Sequence, residues 1–264
     1  MAAPGVTGDS ALAYLPEEAT PDRANDVKGF PPSYFERLHR ALNLVRPRCQ
    51  ALDLGTGRGE IARGLAQHGA SVIAIDSNSG LLDQARAVET PENAGVRYAD
   101  ASAEQTGLDD ESLDLVIAGQ SWHAFDADAV ALEAHRVLRP RCHLVIAHYA
   151  WQSLPRNVVE ATEDLIVQID PDWRTGGTNG LYSEWYPRVR AAGFGEHQTF
   201  LHDVDVVFNH EGWRAYVGRR LAESFAQSDC KKLDDMLAEE LVKRFAGDYL
   251  VAPHRAFSYI AQKN

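Results

Sequence analysis

From residue 51 the chain alternates between short apolar runs and longer stretches in which apolar residues recur every three or four positions. The short runs, Ala51–Leu54, Ser71–Ile75, Val96–Tyr98, Leu113–Ala118 and His143–His148, have the length and composition of buried strands. Between them, Glu60–Gln67, Leu81–Ala87 and Ala129–Leu138 have helical spacing. Upstream, a helix is predicted from Ser33, with Glu36 completing a capping box and Tyr34, Phe35, Leu38, Leu42 and Leu44/Val45 on the apolar side. Strands and helices that alternate in this way form βαβ units, and hence a mainly parallel sheet.

Beyond residue 150 the pattern is less regular. Pro155–Ile169, Ser183–Ala192, Gly212–Phe225 and Lys231–Phe245 read as helices, and His197–Val207 and Arg255–Ala261 as strands. The strand candidates then number seven. The expected class is α/β: a doubly wound, Rossmann-like, mainly parallel seven-stranded sheet with a helical cover over its carboxyl edge. A single domain is expected over residues 1–264. It comprises a Pro- and Gly-containing arm (1–30), a sheet-bearing core (31–150), and the remaining sheet with its helical cover (151–264).

The densest chemical signal is Asp53-Leu54-Gly55-Thr56-Gly57-Arg58-Gly59, placed between a strand and a helix. Glycines are needed where the chain turns sharply and where a ligand lies against bare backbone. A dinucleotide fingerprint wants its third glycine one place later, where the helix N-terminus meets a pyrophosphate. Glu60 stands there instead, and its carboxylate would repel phosphate. Asp53 inside the motif suits a ligand carrying an ammonium group. The loop therefore favours a cofactor without phosphates.

These residues resemble the signature of the class I methyltransferases, an acid followed by Gly-x-Gly-x-Gly. The resemblance continues at Ile73-Ala74-Ile75-Asp76 and at Tyr98-Ala99-Asp100-Ala101. It extends through Gln120-Ser121-Trp122-His123-Ala124-Phe125-Asp126, which is similar to small-molecule methyltransferases of the trans-aconitate methyltransferase type. Ala124 departs from that pattern, where an aromatic is usual. The resemblance implies S-adenosyl-L-methionine as cofactor, bound in the core 31–150 by Asp53, Gly55, Thr56, Gly57, Gly59, Asp76, Ser77, Asp100, Ala101, Ala118 and Gln120. Within that set Asp76 would accept the ribose hydroxyls and Asp100 would lie near the adenine amino group.

An electrophilic methyl group needs only an acceptor held in line with the leaving sulfur, water excluded and, for a hydroxyl or ammonium acceptor, a base. Ligands of open α/β sheets bind at the carboxyl ends of the strands. The acceptor candidates are therefore Trp122, His123, His148, Tyr149 and Trp151, and His123 is the candidate base because histidine titrates near neutrality. A nicotinamide-dependent oxidoreductase, or a non-catalytic domain that keeps the cofactor fold, is the competing expectation.

Charge and composition narrow the partners. A net charge of −12 leaves no expected basic face for nucleic acid, the nearest cluster being Arg40, Arg46 and Arg48. No apolar run has the length of a membrane span. Cys49, Cys142 and Cys230 are odd in number and widely spaced, which predicts reduced thiols and a cytoplasmic protein. His197, His202 and His210 lack metal-ligand spacing, so no metal is expected. The expected partner is a small-molecule methyl acceptor, with secondary metabolism as the expected setting.

Overall fold

The computed structural model describes residues 29–42, 49–88, 90, 95–173, 183–222 and 224–264. The arm up to residue 28, together with Leu44, Val45, Arg46 and Arg48, lies outside the described residues.

The first half follows the expected alternation. Helix α1 (Pro32–Ala41) precedes β1 (Gln50–Leu54), α2 (Glu60–Gln67), β2 (Ser71–Asp76), α3 (Ser79–Ala87), β3 (Val96–Asp100) and β4 (Leu113–Gly119). A 3-10 turn (Trp122–Ala124), α4 (Ala127–Val137) and β5 (Leu138–Trp151) complete it. Then come α5 (Val158–Ile169), a short 3-10 turn leading into α6 (Tyr186–Ala191), β6 (Phe194–Asn209), α7 (His210–Leu221), α8 (Gln227–Arg244) and β7 (Tyr249–Lys263).

The seven strands form one sheet in the order β3-β2-β1-β4-β5-β7-β6. β1 pairs in parallel with β2 and β4, β2 with β3, and β4 with β5. β1 and β4 are buried almost without interruption, as strands covered on both faces must be, whereas the edge strand β3 is only half-buried. From β1 the chain winds outward through β2 to β3 and then returns to β4 on the other side. The order therefore reverses between β1 and β4, which opens a crevice at their carboxyl ends.

The sequence-based boundaries shift where capping or non-local pairing decides them. α1 begins at Pro32, not through a Ser33–Glu36 capping box: Pro31 is the N-cap without a side-chain bond, and Pro32 supplies a preset φ at the first turn. The Ser33 hydroxyl instead meets His202 Nε2 at 2.8 Å. α7 starts two residues early because the Asn209 side chain caps it, accepting from the Gly212 N–H at 2.6 Å. β5, β6 and β7 all outrun the apolar stretches that marked them, since pairing with neighbours extends a strand through polar residues.

The chain divides into two compact units. One comprises residues 29–149, 180–202 and 256–264, and the described part of the other comprises 150–173 and 203–255. The core of the first unit is built around Leu52, Leu54, Val116, Ala118, Ile146 and Tyr259. Tyr34 is fully buried in this unit, with its hydroxyl 2.9 Å from Ser258 Oγ.

The second unit packs α5, α7 and α8 around Trp151, Phe208, Trp213 and Leu237. Two of its tryptophans have their indole N–H satisfied: Trp151 Nε1 donates to Glu163 at 2.8 Å and Trp213 Nε1 to Thr162 at 2.9 Å. His254 is buried between the Ala252 carbonyl and the Tyr216 hydroxyl, and burial lowers its pKa to about 4. Among the described residues no helix is long and apolar enough to cross a membrane, and no cluster of His, Cys, Asp or Glu is suited to a metal ion.

In the first unit, a methyl group on Gly64 would run into the buried Phe35 ring, which joins α1 to α2. Helix propensity alone favours Gly64→Ala by about 1 kcal/mol. Overpacking should outweigh it, giving a net loss of about 1–3 kcal/mol in urea unfolding. A gain in stability would show that Phe35 does not rest on this glycine.

Candidate functional site

β1 ends in a buried pair, Asp53 and Leu54, and the chain then turns through Gly55, Thr56, Gly57, Arg58 and Gly59 into α2. Three hydrogen bonds tie the turn back to the protein. The Thr56 N–H donates to the Ile75 carbonyl at 2.9 Å, the Thr56 hydroxyl donates to Asp53 Oδ2 at 2.6 Å, and the Gly59 N–H donates to the Thr56 carbonyl at 2.8 Å. Asp53 is 1% exposed. Its carboxylate is turned into the protein, where it holds the loop through Thr56.

Gly59 and Gly57 differ in what requires them. Gly59 is left-handed at φ 76°, and a Cβ there would lie 2.5 Å from the Tyr98 hydroxyl, so the protein's own packing demands it. Gly55 is similarly hemmed in by Ser121 and Phe125. Gly57 is also left-handed, at φ 55°, yet a Cβ there would meet nothing within 4 Å. Its bare backbone borders open space, as a surface against which a ligand lies should.

β2 and β3 bring their terminal acids to the same place, since Asp76 and Asp100 are register partners at the ends of adjacent parallel strands. Asp76 Oδ2 accepts from the Gly57 N–H at 2.8 Å, and Oδ1 accepts from the Asn78 N–H at 2.8 Å. Asp100 is exposed, as is Ser77, and Ala101 is half-buried beside it. Glu60 begins α2 and puts a carboxylate in its first turn.

The loop after β4 joins this group. Gln120 is in the left-handed region at φ 62°, rare for a residue with a side chain, and its N–H donates to the Ala147 carbonyl at 2.8 Å. The Ser121 hydroxyl donates to the Leu54 carbonyl at 2.7 Å and so fastens the β4 loop to the end of β1. Ala118 is buried beneath it. Trp122 is 3% exposed, and its Nε1 has no hydrogen-bond partner among the described residues. His123 is exposed on the 3-10 turn.

The fifth strand supplies the half-buried His148 and the buried Tyr149. Trp151 does not join them. It belongs to the second compact unit, where its side chain is committed to Glu163 and lies 5.7 Å from the Trp213 ring. Sequence reading missed Ser121 and Phe30. Ser121 was legible as a hydroxyl directly after the strand-ending Gly119-Gln120, but Phe30 fell at the end of a segment read as an irregular arm.

Comparison with known proteins agrees with this geometry. Residues 52–146 match the family model described as a methyltransferase domain. Over that span the chain is similar to methyltransferase domains. An uncharacterized methyltransferase of Mycobacterium tuberculosis is 37% identical over 91 residues, which are 34% of this chain and 36% of that one. A Dictyostelium discoideum protein named as a methyltransferase is 27% identical over 136 residues, 51% of this chain and 50% of that one. The matched regions thus span a half or less of these relatives.

Among solved structures, an Anaeromyxobacter dehalogenans protein described as a type II methyltransferase superposes with a TM-score of 0.63 at 25% identity, covering 89% of this chain and 97% of its own. Phosphoethanolamine N-methyltransferase 2 of Haemonchus contortus, solved with S-adenosyl-L-methionine, shares the fold at a TM-score of 0.52 and 18% identity, covering 88% of this chain and 52% of its own.

The buried carboxyl at the head of the methyltransferase motif has a measurable consequence. Burial lifts the Asp53 pKa to about 7, with the Thr56 hydroxyl partly opposing the rise. The folded value lies above the unfolded one, so stability linked to this proton is present at low pH and is lost as pH rises from about 4 to about 7. Asp53→Asn should therefore gain on the native chain across that window, in urea-unfolding curves recorded at its two ends. An unchanging difference between the two curves would contradict the buried placement of the acid.

Proposed function

We propose that this protein transfers a methyl group from S-adenosyl-L-methionine to a small-molecule acceptor. The observation that carries the reading is the convergence on one spot of Gly57, whose backbone faces open space, and the paired acids Asp76 and Asp100. A ligand with a ribose, an adenine amino group and no phosphate fits such a set of acceptors. Glu60 disfavours a dinucleotide, because a pyrophosphate at the start of α2 would meet a carboxylate.

In this reading Asp76 accepts the ribose hydroxyls and Asp100 receives the adenine amino group. Ser77, Ala101 and Gln120 line the adjoining surface, Ala118 is buried beneath them, and the Gly55–Gly59 backbone lies along the amino-acid end. Asp53 and Thr56 keep that backbone in shape. The cofactor supplies an electrophilic methyl group, so the protein's tasks are orientation, exclusion of water and removal of a proton. In the same reading Trp122, His123, His148 and Tyr149 border the acceptor, and the base that takes a proton from a hydroxyl or ammonium is His123. Trp151 supports the second unit. The acidic surface favours a small metabolite over nucleic acid, and a cytoplasmic setting in secondary metabolism is consistent with the reduced thiols.

Calorimetry tests the reading directly. S-adenosylhomocysteine should bind and NAD should not; binding of NAD alone would replace this function with a nicotinamide-dependent one. Asp76→Ala should weaken S-adenosylhomocysteine at least about tenfold, the worth of one or two hydrogen bonds to a charged group. His123→Ala should leave that affinity within about twofold while lowering turnover by about 10²-fold or more with an acceptor found by labelled methyl transfer. Unchanged turnover would remove His123 from the mechanism.

A further inference from the structure

The segment just before α1 lies over the crevice where the strand order reverses. A side chain on Gly29 would collide with the Glu60 carboxylate at the start of α2. A Cβ on Gly119, at the end of β4, would come within 3.6 Å of the Phe30 ring. The same ring lies 5.4 Å from that of Tyr149 near the end of β5 and 4.6 Å from that of Tyr34 on α1. Gly29 and Phe30 thus lie beside the start of α2, the last residue of β4 and Tyr149 near the end of β5, all within one compact unit.

Gly119 leaves the end of β4 without a side chain; Ile61 of α2 fills the space directly over it, and the Phe30 ring lies at the margin of that space. Phe30 is only half-buried, and part of its surface remains open at the carboxyl edge of the sheet. Its ring neighbours are Tyr34 and Tyr149, and the electron-rich faces of such an aromatic cluster attract a positive charge.

We infer that Phe30, backed by Tyr149, forms an aromatic wall that recognises the positive charge of the methyl donor. The wall makes this chain discriminate the cationic sulfonium of S-adenosylmethionine from the neutral thioether of S-adenosylhomocysteine. This assignment rests on the proposed cofactor. Phe30 is a specificity residue in it: the acids at the ends of β2 and β3 hold the nucleoside, which the two ligands share, and Phe30 reads the atom at which they differ. The arrangement favours exchange after transfer, because the spent cofactor loses the contact that held the fresh one.

The test compares both ligands by calorimetry on the native chain, Phe30→Leu and Phe30→Tyr, with thermal unfolding of each variant as a check on folding. Phe30→Leu should weaken S-adenosylmethionine by roughly 3- to 30-fold, the range of a partly desolvated cation–ring contact, and leave S-adenosylhomocysteine within about twofold. Phe30→Tyr keeps a ring and should behave as the native chain. Equal weakening of both ligands, or of neither, would overturn the assignment while leaving the cofactor reading intact. A native chain that binds neither ligand would instead overturn the cofactor reading, and this assignment with it.

Discussion

The arrangement of this site depends on a carboxylate that is denied water. Asp53 sits near the end of β1 with almost no exposed surface, and its main partner is the hydroxyl of Thr56, three residues on. That bond closes the first turn after β1, and the Thr56 N–H, reaching the Ile75 carbonyl, fixes the turn against the next strand. With Thr56 held from both sides, Gly57 can direct its N–H at Asp76 and its bare face at open space. Were the turn free to relax, each of these left-handed glycines would gain conformations that the ligand would have to remove again, at about 1–2 kcal/mol per residue. The buried acid thus converts a flexible stretch into a preformed surface, and its raised pKa reflects the cost of that placement.

The sheet sets where this surface is used. Its order reverses between β1 and β4, so the loops after these strands diverge and leave a crevice between them. Ser121 limits the divergence by bonding back to the Leu54 carbonyl, and Gln120 takes up the rest as a left-handed residue bonded to β5. The crevice is therefore bordered by backbone on one side and by the acids of β2 and β3 on the other. Chemistry at this place needs little from the protein beyond geometry, which suits a donor whose methyl group is already electrophilic.

Much of this was legible in the sequence, for physical reasons. The bounds of α2 were readable to the residue because a glycine that must be left-handed ends the loop and Glu60 starts the helix. The strands β1 and β4 stood out because burial on both faces leaves an uninterrupted apolar run. Asp76 and Asp100 were identifiable as strand-ending acids, although their register pairing was not. What stayed hidden depends on contacts distant in sequence. The position of β7 between β5 and β6 is set by pairing, which no local pattern records. Ser33 looked like a helix cap, but Pro32 begins the helix without one and the hydroxyl serves His202. Trp151 seemed to face an acceptor because it ends a strand, yet its indole N–H is committed to Glu163 within the second unit. Phe30 gave no signal at all: a single aromatic in a polar segment acquires meaning only beside Gly119 and Tyr149.

The central claim is that the loops after β1, β2 and β3 form one preformed surface for a phosphate-free nucleoside cofactor. Amide hydrogen exchange with and without S-adenosylhomocysteine addresses it most directly. The account predicts slowed exchange in peptides that cover Gly55–Gly59, Asp76–Gly80 and Asp100–Ala103, with no slowing by NAD. Protection absent from all three, or confined to the helices of the second unit, would contradict it.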